Sequence, residues 1–207
     1  MHGHPRFYAA HAYESPEPDT ASRSHVSSGR ADHSRQEWEK RQIERLFSYI
    51  EAFRGFSGKR YFLDVGAYWG LYSLIAHQKR WFDYIVAFEP DPFNRSQRHA
   101  QLALNLLFNE IEVRSAALPD RTGLEPFLKS ESHSTGNRGG VGLFPESDGS
   151  KTISVPTDRL DNQLQIEDAV LLIKIDVEGH EVNVLERIPV TCEHSLHCGR
   201  NFCIPVG

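Results

Sequence analysis

The chain reads as an α/β domain with a mostly parallel sheet. Three segments predict this: Phe62–Gly70 (FLDVGAYWG), Val86–Pro90 (VAFEP) and Ile173–Glu181 (IKIDVEGHE). Each is an apolar run that ends in a carboxylate at a turn. In open α/β sheets, ligands bind outside the carboxyl ends of the strands. Three acidic strand ends therefore point to one shared cleft that takes a polar, partly cationic ligand.

Residues 1–34 are rich in His, Ser, Pro, Gly and charge and poor in aliphatics. They bury too little apolar surface to offset chain entropy, so this stretch is expected to be a disordered tail. His2, His4 and His11 read as part of that solvated tail and not as a metal site. Across residues 36–53, Ile43, Leu46, Phe47, Ile50 and Phe53 recur with the spacing of one buried helix face. Trp38 lies one helical step outside the stripe.

Arg60–Val65 reads as a short buried strand and Leu71–Lys79 as a helix. Between them Asp64, Gly66 and Gly70 form a D-x-G-x-x-x-G pattern. Glycine there permits positive φ and close backbone approach. The following helix start offers free N–H groups and a positive dipole end. Pyrophosphate sites use this architecture with G-x-G-x-x-G, but here Tyr68 replaces the second glycine and a carboxylate precedes the first. A ligand with both an ammonium and a carboxylate suits such a turn, as in the amino-acid end of S-adenosylmethionine. The plainer alternative is an ordinary βα turn with Asp64 as a helix cap.

Tyr84–Phe88 reads as the second strand, and Glu89 ends it 25 residues after Asp64. An acid about 20 residues beyond the glycine turn is the usual receptor for ribose hydroxyls. Pro90 stops the strand, and Phe93–Leu107 reads as the next helix. Ile111–Ala116 is expected as a third strand, with two shorter ones at Leu124–Leu128 and Thr152–Val155. The polar stretch Ser130–Ser150 between them reads as a long loop, functional or flexible. Within it, Gly136–Gly140 suits a lid or acceptor loop, and Arg138 suits an anionic acceptor.

Val170–Ile175 is a fourth core strand, apolar except for Lys174. Asp176, Glu178, His180 and Glu181 follow it, and Glu181–Arg187 reads as a helix. His180 has a suitable unperturbed pKa for proton transfer, and Asp176 can hold or deprotonate an acceptor hydroxyl. His180 reads equally well as a first-turn helix residue. No metal site is assigned. The spacing of Cys192, His194, His197 and Cys198 matches no zinc pattern. Residues 189–207 hold all three cysteines. No further strand is evident there, so the sheet is expected to stop at Val170–Ile175, with that strand's edge open to aggregation or to a partner copy.

DVGAYWGLYSL, VAFEPDPFN, Ser115–Leu118, Thr157–Asp161 and IKIDVEGHE occur in the order seen in FkbM-type methyltransferases. Over residues 60–187 the chain resembles that family. The resemblance implies a Rossmann-like class I methyltransferase fold, here truncated at its C-terminus, with S-adenosylmethionine as cofactor and a hydroxyl oxygen as methyl acceptor. By position, Asp64, Gly66 and Gly70 would hold the methionine part, Glu89 the ribose, and Ala116 would lie near the adenine. Asp176 would lie at the methyl-transfer end. The helix over residues 36–53 would close over the cofactor or simply pack on the sheet.

The organisation expected is thus a tail at 1–34, a methyltransferase domain at 35–188 and an atypical cysteine-containing tail at 189–207. The acceptor class is a small molecule or glycan. A net charge of −5 with no basic stripe argues against nucleic acid. No apolar run is long enough to span a membrane, and no export signal is evident, so a cytoplasmic location is expected. Two alternatives stay open: a truncated, inactive methyltransferase-like protein, and a NAD-dependent oxidoreductase. Asp64 and the missing G-x-G-x-x-G weigh against the second.

Overall fold

A computed structural model describes residues 40–129, 142–143, 152–164, 169–177, 180–188, 195–199 and 202–206. The expected tail at 1–34, Trp38, the Gly136–Gly140 stretch with Arg138, and Glu178 lie outside the described residues.

The central sheet has six strands. In chain order they are β1 (Lys59–Val65), β2 (Tyr84–Phe88), β3 (Glu112–Arg114), β6 (Ala169–Ile175), β7 (Ser195–Gly199) and β8 (Phe202–Val206). The separate pair β4 (Gly123–Leu128) and β5 (Thr152–Thr157) is antiparallel. Across the main sheet the order is β3-β2-β1-β6-β8-β7. The first four strands are parallel, with β1 bonded to β2 on one side and to β6 on the other. The chain thus changes direction across the sheet at β1, and that switch point opens a crevice at the strands' carboxyl ends.

Period-two alternation sends neighbouring residues to opposite faces. Phe62, Ile85 and Leu172 pack against Leu46 and Phe47 of α1 (residues 40–48), Ala76 of α2 (Leu71–Lys79) and Leu102 of α3 (Pro92–Leu104). Leu63, Val86, Ile173 and Ile175 pack on the other face with Leu160 of α4 (Leu160–Gln163) and Val184 of α5 (Glu181–Leu185). Every residue of β6 is buried, as a strand covered on both faces requires. Truncating Ile173, which has no exposed surface, to alanine is expected to cost about 2–5 kcal/mol. The predicted stripe of α1 therefore packs on the sheet, and none of its described residues lines the cleft below.

Boundaries differ at two places. Helix α3 stops at Leu104, not Leu107: the Asn105 side chain donates to the Gln101 carbonyl at 2.8 Å, and Leu106 turns to φ +57°. The third strand shrinks to Glu112–Arg114 because β2 offers it just three paired positions.

The larger correction concerns residues 189–207. The sheet does not stop at Val170–Ile175: β8 pairs antiparallel with β6 at Ile173 and Lys174, covering part of the edge expected to be open, and β7 pairs with β8. The tail carries no clear alternation, so pattern alone gives no strand. An unpaired backbone edge is itself a template for strand addition, and here the same chain supplies the added strands. Among the described residues, no helix is long and apolar enough to cross a membrane.

Candidate functional site

Helix α2 starts where β1 ends, and the turn between them is tightly specified. Gly66 and Gly70 have φ of +71° and +89°, and Tyr68 also lies in the left-handed region at +49°. The Gly66 and Ala67 amides both donate to the Phe88 carbonyl, at 3.1 and 2.9 Å, which ties the turn to the end of β2. A Cβ on Gly66 would sit 2.0 Å from the Asp176 carbonyl oxygen, and one on Gly70 would sit 2.0 Å from Arg98 Nη1. Both glycines are thus required by neighbouring protein atoms as well as by φ.

Asp64 is fully buried behind this turn. Its Oδ2 accepts from the Ser73 amide at 3.1 Å and the Ser73 hydroxyl at 2.6 Å. Ser73 belongs to the first turn of α2, whose amides have no partner within the helix. Asp64 therefore caps α2 from the preceding strand and does not line the cleft. Lys174 Nζ approaches Asp64 Oδ1 at 3.5 Å and Asp176 Oδ2 at 3.7 Å, and donates to the Gly66 carbonyl at 2.6 Å. One lysine thus braces the ends of β1 and β6.

Glu89 is buried at the end of β2. It accepts from the Tyr68 amide at 2.8 Å and the Asp91 amide at 3.0 Å. Burial pushes its pKa up; the hydrogen bonds from Asp91, Tyr68 and Asn94 work against that rise. Each carboxylate oxygen has two acceptor positions, so capacity for further donors remains on the cleft side. Asp91 then caps α3 by accepting from the Phe93 and Asn94 amides, and Pro92 occupies the helix's first turn.

These strand ends open into one cleft, whose roughly 600 Å³ of space between atoms is partly open to solvent. Gly66, Glu89, Ala116, Asp176 and His180 all line it; Asp64 and Gly70 stand behind its wall. Phe88, Ala117, Leu118, Phe127 and Leu143 are among its apolar lining residues, and an isolated antiparallel bridge joins Leu143 to Phe127 of β4. Half of the Asp176 side chain is exposed. His180 precedes α5, its amide donating to the Val177 carbonyl at 2.9 Å. Among the described residues, no group of three or more His, Cys, Asp or Glu side chains is arranged to hold a metal ion.

Sequence reasoning missed the residues that act at a distance. Ser73, Arg98 and Phe127 carry no local signal, because their partners lie on other elements. Lys174 did carry one: a lone charge within an otherwise apolar strand marks a buried partner.

No curated protein matches the chain. A crystal structure of methyltransferase FkbM from Methylobacillus flagellatus KT is similar at 19% identity and a TM-score of 0.38. The match covers 63% of this chain and 28% of that one, so the chain spans under a third of that protein. The methyltransferase FkbM domain matches residues 64–197, from the buried carboxylate of β1 into β7. With more than half of its length inside that match, the chain belongs to the FkbM methyltransferase domain family.

Proposed function

We propose that the chain is an S-adenosylmethionine-dependent methyltransferase that methylates a hydroxyl of a small molecule or sugar. The observation that carries this is the convergence of Gly66, Glu89, Ala116, Asp176 and His180 on one cleft at the sheet's switch point. The cleft's make-up suits the cofactor: a buried acid for ribose hydroxyls, small residues at Ala116 and Ala117 for a flat base, and an acidic end for a cationic centre.

Bound S-adenosylmethionine would supply an electrophilic methyl group. Glu89 accepts hydrogen bonds from the ribose. Asp64 and Gly70 brace the methionine end through the turn. Asp176 receives or orients the acceptor hydroxyl, and His180 is the competing base at the same rim.

Calorimetric titration with S-adenosylmethionine, its demethylated product and NAD tests this. Saturable binding of the first two in preference to NAD is expected. Equal or tighter NAD binding removes the proposal.

A further inference from the structure

The β7–β8 hairpin sets two of the chain's cysteines directly opposite each other. Cys198 of β7 is the register partner of Cys203 of β8, and Cys203 is in turn paired with Ile173 of β6. The type of the cysteine pair follows from Pro205. Proline has no amide hydrogen to donate, so the pair Leu196–Pro205 cannot exchange two ladder bonds. Hydrogen-bonded and non-hydrogen-bonded pairs alternate along an antiparallel ladder. Cys198–Cys203, two steps from Leu196–Pro205, is therefore a non-hydrogen-bonded pair. The chain between the strands agrees: a two-residue connection closes on a hydrogen-bonded pair, here Gly199–Phe202.

Pairs of this type hold their Cα atoms about 4.5 Å apart, with both Cβ atoms on one face of the ladder. A disulfide spans Cα atoms about 4.4–6.8 Å apart. We propose that Cys198 and Cys203 form a reversible oxidation site, whose disulfide staples β7 to β8 and so steadies the strand added to β6. Oxidation runs by thiol–disulfide exchange with a small disulfide such as oxidised glutathione. One cysteine thiolate attacks it, giving a mixed disulfide and one glutathione thiol. The second cysteine thiolate then displaces the other glutathione. Two protein thiols become one disulfide, and the small disulfide takes up their two electrons and two protons as two thiols.

The staple falls where the hairpin is held to the sheet. Among the described residues, β8 meets β6 at Cys203 and Phe202 alone, opposite Ile173 and Lys174. In a non-hydrogen-bonded pair with β7, the backbone groups of Cys203 point away from β7 and towards β6. The disulfide thus anchors the residue whose backbone joins the hairpin to the core. Lys174, one step along β6, donates to the Gly66 carbonyl, and Asp176 of the cleft follows the end of that strand. Cys192, the third cysteine, precedes β7 and lies outside the described residues. The register therefore favours one pairing of the three that are open to these cysteines.

The test is to equilibrate the full chain with oxidised glutathione, alkylate the remaining thiols and map the bonds by mass spectrometry. Trypsin cuts after Arg200, and a glutamate-specific protease cuts after Glu193, so the three cysteines fall on three peptides. The expected product is peptide 194–200 linked to peptide 201–207, with Cys192 alkylated and dithiothreitol reversing the link. The same treatment in urea should lose this selectivity and spread the bonds over all three pairings. Cys192 as the main partner, separate glutathione adducts on Cys198 and Cys203, or the same selectivity in urea would each overturn the proposal. Hydrogen exchange supplies the second readout: β7–β8 amides should exchange about tenfold more slowly, or slower still, in the oxidised chain than in the reduced chain. Cys198→Ser should show no such difference under the same oxidant. Equal exchange in the oxidised and reduced wild type would show that the bond does not staple the hairpin, and the proposal falls.

Discussion

Lys174 Nζ donates a 2.6 Å hydrogen bond to the Gly66 carbonyl, so the base of the candidate catalytic strand end holds the glycine turn in place. The same ammonium lies 3.5 Å from Asp64 and 5.4 Å from the centre of the Tyr72 ring. Replacing Lys174 by methionine keeps the stem and removes the charge. Asp64 Oδ1, which accepts no hydrogen bond, then loses its nearest cation. We expect Lys174→Met to destabilise the protein by about 3–5 kcal/mol, the range for breaking one side of a buried pair. Denaturant unfolding measures it. A change below about 1 kcal/mol would mean that Arg98 alone balances Asp64.

Glu89→Ala removes an acceptor that lines the cleft and that takes hydrogen bonds from the Tyr68 and Asp91 amides. Cofactor affinity is expected to fall by about 1.5–3 kcal/mol, the range for hydrogen bonds to a charged group, or about ten- to 150-fold in Kd. Titration with S-adenosylmethionine checks it. An unchanged Kd would reduce Glu89 to a brace for the Tyr68 turn.

Asp176→Asn preserves size and removes charge at the exposed rim. It should lower methyl transfer by about 100-fold or more with little change in cofactor affinity. His180→Ala in the same assay tests the competing base. If Asp176→Asn turns over normally while His180→Ala does not, the proton passes through His180. If both remain active, neither is the base, and the cleft acts by orienting the acceptor.

Asp158 gives a prediction for acid stability. Burial works against its charged form, but hydrogen bonds from Asn162, Thr122, Gln163 and the Arg159 amide outweigh it and hold its pKa well below the carboxylate range. Thr122 donates at 2.7 Å and Asn162 at 2.9 Å, which fixes α4 beside the start of β4. A depressed folded-state pKa adds stability that is complete above the unfolded value of about 3.9 and is lost as pH falls through the folded value. Asp158→Ala should therefore cost about 1–3 kcal/mol at neutral pH. It should also flatten the loss of stability on acidification, read from unfolding midpoints across the acid range. Equal slopes in variant and wild type would remove Asp158 as a contributor.

Legibility in the sequence followed the range of the interactions. β1, β2 and β6 were readable because each is an apolar run closed by an acid and a turn, and their ends do meet at one cleft. The α1 stripe was readable because a buried helix face repeats within a few residues. The division of labour among the acids was not. Asp64, Glu89 and Asp176 look alike as strand-end carboxylates, yet Asp64 is walled off by Ser73 of α2, and Glu89 and Asp176 reach the cleft. That distinction depends on the rise and facing of helices that no local pattern encodes. The tail strands escaped for a related reason: β8 is specified by the backbone it meets on β6, and its own residues give little warning.

The two glycines of the β1–α2 turn face different obstacles, and so differ in how each position can change over time. At Gly66 the barrier is the Asp176 carbonyl, an atom that every amino acid at position 176 would present. No second substitution can clear it, so the position is closed to drift. At Gly70 the barrier is the Arg98 side chain, which a shorter residue would withdraw. A small residue at 70 is then reachable by a paired change, limited by the remaining strain of φ +89°. Within one loop, one glycine is fixed by the backbone and the other is negotiable through a compensating partner.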